Sequence, residues 1–153
     1  MPEENEGLDE HDSRVWEAYF EMQVLFWRRM SHDLQQETGL SEPDFAILTA
    51  LRKAPGGRLR AYQLAGVTEF EKSRLHHHLT RMAARGLVAR EQDPANSRGT
   101  LITLTDDGRT AIDRATPARA RHIRKWLIDP LDRDRLDLLA DVSARVTKRL
   151  RAN

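Results

Sequence analysis

The stretch EKSRLHHHLTRMAARGLVAR, residues 71–90, followed by DPANSRG (93–99) and TLITLT (100–105), decides how the rest of the chain is read. Leu75, Leu79 and Met82 recur at helical spacing and define one apolar stripe. The spacing predicts a helix from about Glu71 to Arg85, with Gly86 as a left-handed stop. Thr68 and Glu71 match a capping box, which would start the helix a turn earlier. Leu87–Gln92 and Thr100–Leu104 are β-prone, and the Pro, Asn and Gly between them supply turn conformations. Arg98 is expected at the tip of that loop. Ahead of the helix, Leu59–Val67 holds Leu64 and Ala65 where a short packing helix belongs. Short helix, turn, basic helix and hairpin in that order describe a winged helix-turn-helix.

Outward from this centre the pattern is helical. Trp16, Tyr19, Phe20, Gln23, Phe26, Trp27 and Met30 fall at spacings of three and four between Ser13 and about Glu37. Gly39 ends that helix, and Ser41, Pro43 and Asp44 open a second, with Phe45, Leu48 and Leu51 inward and a stop at Pro55-Gly56-Gly57. Thr105 with Asp106 and Asp107 caps a helix carrying Ala111, Ile112 and Ala115, which Pro117 is expected to kink or break before Ile123, Trp126 and Leu127. Asp132 starts a last helix striped by Leu136, Leu139, Val142, Val146 and Leu150. Residues 1–12 are acidic and lack apolar periodicity, so they read as disordered. The fold class is mainly α with a small β-hairpin wing, and residues 41–105 form the winged helix-turn-helix.

Charge is unevenly placed. Six of the 24 acidic residues lie in the first twelve positions, which contain no Lys or Arg, leaving 25 bases against 18 acids in the remainder. Within 52–98, ten bases (Arg52, Lys53, Arg58, Arg60, Lys72, Arg74, Arg81, Arg85, Arg90, Arg98) face four acids (Glu69, Glu71, Glu91, Asp93). Such a patch is the electrostatic footprint of a phosphate-binding face, and here it coincides with the helix and wing that would enter DNA grooves. With Leu75, Leu79 and Met82 inward, Lys72, Ser73, Arg74, His77, His78 and Arg81 are assigned to the DNA face. Arg74 and His77 are candidates for base edges, since Arg can grip guanine in two bonds; Lys72, Ser73 and Arg81 are assigned to phosphates. His76 is placed at the flank, and partial protonation of His77 and His78 would raise affinity as pH falls. Arg98 is a candidate for the minor groove.

Other chemistry is excluded residue by residue. Cysteine is absent, which removes disulfides, thiolate metal sites and a nucleophilic thiol. Three consecutive histidines on a helix point about 100° apart and cannot converge on one ion, so no metal is assigned. No Gly-rich phosphate loop, nucleophile elbow or HExxH occurs, so neither an enzyme nor a cofactor is expected. MPEENEGLDEHD lacks a basic, then apolar, signal pattern and no apolar run spans a membrane; a soluble cytoplasmic protein with no membrane partner is expected.

The combination KSRL with its His-rich turn, RGLV at the helix-to-wing junction, the Asp93–Arg98 wing, and Leu104, Thr105 and Gly108 in LT-x-x-G resembles the MarR family of bacterial transcription regulators. The resemblance spans about residues 13–150. Many relatives carry two adjacent arginines at the wing tip, whereas here Ser97 precedes Arg98. It implies a homodimer built from helices in 13–40 and 106–153, binding an inverted repeat of double-stranded DNA and located on the bacterial nucleoid when bound. The aromatic first helix and the Leu/Val-striped last helix support dimerisation independently, because each buries little unless packed on another surface. The resemblance further implies a repressor released by a small phenolic or anionic effector bound between the dimerisation helices and the DNA-binding domain. Candidates to line that site are Trp16, Tyr19, Gln23, Trp27, Ile47 and His122. The alternative is an effector-independent autorepressor or architectural protein.

Overall fold

The computed structural model describes residues 6–68 and 70–153. Helix α1 spans Glu10–Thr38, α2 Glu42–Lys53, α3 Ala61–Leu64, α4 Lys72–Ala84, α5 Asp106–Ile123 and α6 Arg133–Arg151. Three short strands, β1 (Arg58–Arg60), β2 (Val88–Asp93) and β3 (Asn96–Leu104), complete it. Among the described residues no helix is long and apolar enough to cross a membrane. Two compact units are distinguished: residues 31–119, and the described residues up to 30 together with 120–153.

In the winged unit, Leu34, Leu40, Ile47, Leu48, Leu51, Leu64, Leu75, Leu79, Met82, Ile102 and Ile112 form one buried cluster. Leu34 of α1 and Ile112 and Ala115 of α5 supply core side chains to it. Helix α2 opens with a reciprocal capping box: Asp44 N–H donates to Ser41 Oγ (3.2 Å) and Ser41 N–H donates to Asp44 Oδ2 (2.9 Å), an arrangement worth about 1 kcal/mol. At the other end of the motif, α4 closes in a Schellman geometry. Gly86 (φ +77°) donates its N–H to Ala83 O at 3.0 Å, and Leu87 donates to Met82 O at 3.1 Å.

The sheet is antiparallel in the order β1-β3-β2, so the expected two-stranded hairpin gains a third strand. Arg58, Leu59 and Arg60 pair with Thr103, Ile102 and Leu101; a three-residue strand is too short to show alternation in sequence. The expected loop at 93–99 is also tighter. The turn falls on Pro94-Ala95, and β3 starts at Asn96. Asp93 pairs with Asn96 while Gln92 pairs with Thr100, so Ser97, Arg98 and Gly99 bulge out of the ladder.

Three further expectations are corrected. Helix α1 begins before Ser13, because Asp9 Oδ1 accepts the Asp12 N–H at 2.8 Å and thus caps the helix; residues 1–5 lie outside the described residues. The Thr68–Glu71 capping box does not form: Glu71 makes no side-chain cap, and the Thr68 hydroxyl accepts from Phe70 N–H instead. Pro117 does not break α5, which runs on to Ile123. Burial of Ile112, Ala115 and Ala118 along one side keeps the helix seated, and the Thr116 hydroxyl donates to Ile112 O at 2.8 Å. The helix instead ends after a π-helical turn over Arg124–Ile128, just before Pro130.

In the other unit, Trp16, Tyr19, Phe20, Leu25 and Trp27 of α1 are about half exposed, as are Val142 and Val146 of α6. Arg29 and Lys125 both lie over the Trp126 ring, at 4.7 and 4.8 Å.

The Gly86–Gly108 junction packs backbone closely against backbone. Thr105 Oγ1 donates to Gly86 O (2.6 Å) and accepts the Gly108 N–H (2.9 Å), which draws α5 onto the end of α4. A Cβ at Gly108 would lie 2.0 Å from Leu87 O, a backbone atom that cannot swing away. Gly108→Ala is therefore expected to cost about 3 kcal/mol or more, read as a lowered urea midpoint, whereas the same change at exposed Gly66, with nothing within 4 Å, leaves it nearly unchanged.

Candidate nucleic-acid interface

One face of α4 carries Lys72, Ser73, Arg74, His77 and Arg81, all exposed, with His76 exposed beside them. The opposite face buries Leu75, Leu79 and Met82. The structure therefore brings together five of the six residues assigned from sequence to this helix face. The sixth, His78, is a correction. It is buried, with Nε2 2.8 Å from Asp44 Oδ1 on α2, because it follows Leu75 by three residues and precedes Met82 by four, on the core side of the wheel.

Asp44 is the centre of a small polar network. Besides His78 and the Ser41 N–H, its carboxylate accepts from Arg85 Nη1 at 2.8 Å, while Arg85 Nη2 donates to Gly39 O at 2.9 Å. Burial would push the Asp44 carboxyl up, but hydrogen bonds from Arg85 and from the Ser41 backbone outweigh it and hold it below 3.8. Burial dominates at His78, where it overrides the attraction of Asp44 and depresses the imidazole below 6.5.

Phe70, which sequence reasoning passed over, joins this network to the exposed face. Its ring meets His78 edge-on at 5.4 Å and carries the Arg74 guanidinium 4.2 Å above its centroid. Arg74 is thereby braced on an aromatic surface while its donors stay exposed. The signal available in sequence was an aromatic residue just ahead of a basic helix, with nothing to show on which side it packs.

The wing is held by a residue read from sequence only as part of a turn. Asp93 is buried, accepting from Arg60 Nε on β1 at 2.6 Å and from Ala95 N–H at 2.9 Å. The Arg60 guanidinium holds its carboxyl below the usual value. Beyond it Arg98 is exposed on the bulge, which is tied by Gln92 Nε2 donating to Ser97 O (3.0 Å) and Arg98 N–H donating to Asn96 Oδ1 (3.1 Å). Arg90 of β2 donates to His76 O at 2.8 Å and so joins the wing to α4.

The residues considered for an effector are distributed differently. The Trp16 and Tyr19 rings are tilted against each other with centroids 6.1 Å apart on the exposed face of α1, where Gln23 and Trp27 are exposed as well. Ile47 is fully buried in the winged core, and His122 is buried near the end of α5.

The MarR family model matches residues 38–99, which run from the end of α1 through α4 to the wing. Transcriptional regulator HosA of Escherichia coli O111:H- is 32% identical over 100 residues, covering 65% of this chain and 73% of the relative. The chain belongs to the MarR family. It is accordingly a transcription regulator and not an enzyme. Two MarR family regulators from Streptomyces coelicolor share its structure. AbsC is 30% identical with a TM-score of 0.85, covering 95% of this chain and 98% of AbsC. A second, solved in complex with DNA, is 29% identical with a TM-score of 0.85, covering 94% and 93%. The MarR winged unit accounts for the strongest sequence signals, RGLV and LT-x-x-G, as the Schellman turn and the Thr105–Gly108 cap.

The buried network makes stability pH-dependent with a definite sign. The unfolded chain protonates His78 near 6.5, and the folded chain only below that. Its contribution is complete above pH 6.5 and is lost as pH falls from there towards the folded value; Asp44 adds a second loss below 3.8. Urea midpoints measured across this range are expected to decline from about pH 6.5 downward, with the upper part of that decline abolished in His78→Gln. An unchanged profile in His78→Gln would remove His78 from the network.

Proposed function

We propose that this chain is a dimeric, sequence-specific DNA-binding repressor that leaves an inverted-repeat operator when a small phenolic or anionic effector binds. The observation that carries the DNA-binding reading is the exposed face of α4, Lys72, Ser73, Arg74, His77 and Arg81, together with exposed Arg98 on the wing. A helix of this kind lies in the major groove with its first turns at the bases, which gives Arg74 and His77 base edges and Lys72, Ser73 and Arg81 phosphates. Arg98 enters the adjoining minor groove. The relative solved in complex with DNA supports the same use of the shared fold.

Dimerisation is supported by the half-exposed aromatic face of α1 and by exposed Leu138, Val142, Val146 and Leu150 of α6, an apolar area that a single chain leaves in water. A two-fold dimer places its two recognition helices about 10 bp apart, so the operator is an inverted repeat. The effector would select one separation of those helices and shift the population away from the DNA-binding form. Trp16, Tyr19, Gln23, Trp27 and His122 supply aromatic and hydrogen-bonding chemistry suited to a phenol.

Fluorescence anisotropy on DNA flanking the protein's own gene, against scrambled DNA at two salt concentrations, tests the reading. Tight, salt-dependent, selective binding by a species of dimer mass is expected, and equal weak binding to both DNAs would sink it. Arg74→Ala is expected to weaken operator binding much more than nonspecific binding; equal losses would remove Arg74 from base readout. Arg98→Ala is expected to cost about 1–2 kcal/mol and flatten the preference for A·T flanks. Adding phenolic acids to the preformed complex should lower anisotropy for at least one member of a panel. No response to any member would favour an effector-independent repressor.

A further inference from the structure

His78 lies on the recognition helix yet cannot touch DNA, and both of its ring nitrogens are engaged. Nε2 is 2.8 Å from Asp44 Oδ1 and Nδ1 is 3.3 Å from Arg81 Nη2. An ionised carboxylate only accepts and a guanidinium only donates. Neutral imidazole satisfies both neighbours in one tautomer alone, with the proton on Nε2 given to Asp44 and the bare Nδ1 accepting from Arg81. We propose that His78 is a positioning residue of the DNA-binding face: as a neutral acceptor it seats the Arg81 guanidinium against α4, and its protonation releases Arg81 towards phosphate.

Several groups face the ring. Asp44 stands on one side, from α2; Arg81 and Arg85 stand around it, from α4; Phe70 meets it edge-on and carries Arg74 on its other contact. A proton on Nδ1 would set an N–H against the Arg81 N–H and a positive charge beside a positive charge, so the Nδ1–Arg81 contact is the one that breaks. The Nε2–Asp44 hydrogen bond survives and becomes an ion pair. Arg81 is exposed, so its side chain can turn outward without disturbing the core. Burial and the two arginines oppose protonation while Asp44 favours it, and the balance places the change below the ordinary histidine range. His76 and His77 sit exposed on the same helix. The contribution of His78 is distinct because it acts only through Arg81.

The proposal rests on the DNA-binding reading of α4, and its first test needs no DNA. Nitrogen-15 NMR of the imidazoles in the full chain should show His78 as the Nε2–H tautomer, titrating below the ordinary histidine range. Arg81→Ala should move the His78 midpoint upward, since a donor and a like charge are removed. The opposite tautomer, an unmoved midpoint in Arg81→Ala, or a ring that stays neutral until the chain unfolds would each overturn the proposal. The second test measures operator anisotropy against salt on either side of the wild-type midpoint. Crossing to the acid side should steepen the salt slope of the wild type by about one more counterion than that of His78→Gln, which can donate to Asp44 but cannot take a proton. In Arg81→Ala that extra increment should vanish, although His76 and His77 are intact. An equal increment in all three proteins would overturn the release of Arg81. Absence of selective binding at every pH would sink the DNA-binding reading instead, and the NMR titration would still decide whether His78 seats Arg81.

Discussion

The buried carboxylate of Asp44 ties the start of α2 to the recognition helix and its end. Left unpaired at that depth a carboxylate is strongly destabilising, so every neighbour that satisfies it is fixed in turn. One oxygen takes the Ser41 N–H and the Arg85 guanidinium, and the other faces His78. Those donors come from the start of α2, from His78 on α4, and from Arg85 at its C-terminal cap, nearly two turns further on. A helix held at two points along its length cannot roll about its axis, and the direction of its outward face follows from that restraint. Arg85 also reaches Gly39 O, so the turn between α1 and α2 is drawn into the same arrangement.

The basic patch divides into two kinds of residue once contacts are known. Arg52 pairs with Asp113 and Thr116, Arg60 with Asp93, and Arg85 with Asp44, while Arg90 is committed to His76. Arg52 ties α2 to α5, and Arg60, Arg85 and Arg90 position α4 and the wing. Lys72, Arg74 and Arg98 are exposed, and Arg81, also exposed, has one donor turned to His78 Nδ1. Part of the positive charge of this stretch is therefore committed inside the fold. The wing shows the same economy: Asp93 neutralises Arg60 inside the sheet, and Arg98 stays outside on a bulge held by amide side chains.

Much of the fold was legible in local chemistry. Leu75, Leu79 and Met82 announced the buried side of α4, Gly86 its end, Ser41 with Asp44 the start of α2, and Asp132 the start of α6, where its Oδ1 accepts the Arg135 N–H at 2.8 Å. Each of these signals acts within about one turn, where sequence separation and spatial separation are nearly the same thing. The misreadings share a different cause. Strand β1 exists because β3 offers it a ladder from far along the chain, and α5 survives Pro117 because its neighbours are held by burial on the core. Thr68 could have capped α4 by spacing alone, but its hydroxyl found Phe70 first.

The order of helices and strands, the apolar side of α4, the place of the wing and the MarR resemblance were determined by the sequence itself, through periodicity, capping residues and turn chemistry. Only the tertiary structure decided that His78 faces inward, that Phe70 carries Arg74, and that Asp93 belongs to the wing's interior. His78 borders the apolar stripe by position, and a histidine at such a border goes to whichever side offers a partner. The partner is a carboxylate 34 residues earlier, on another helix. A pairing of that kind depends on how two helices pack, and no local pattern in either of them encodes it.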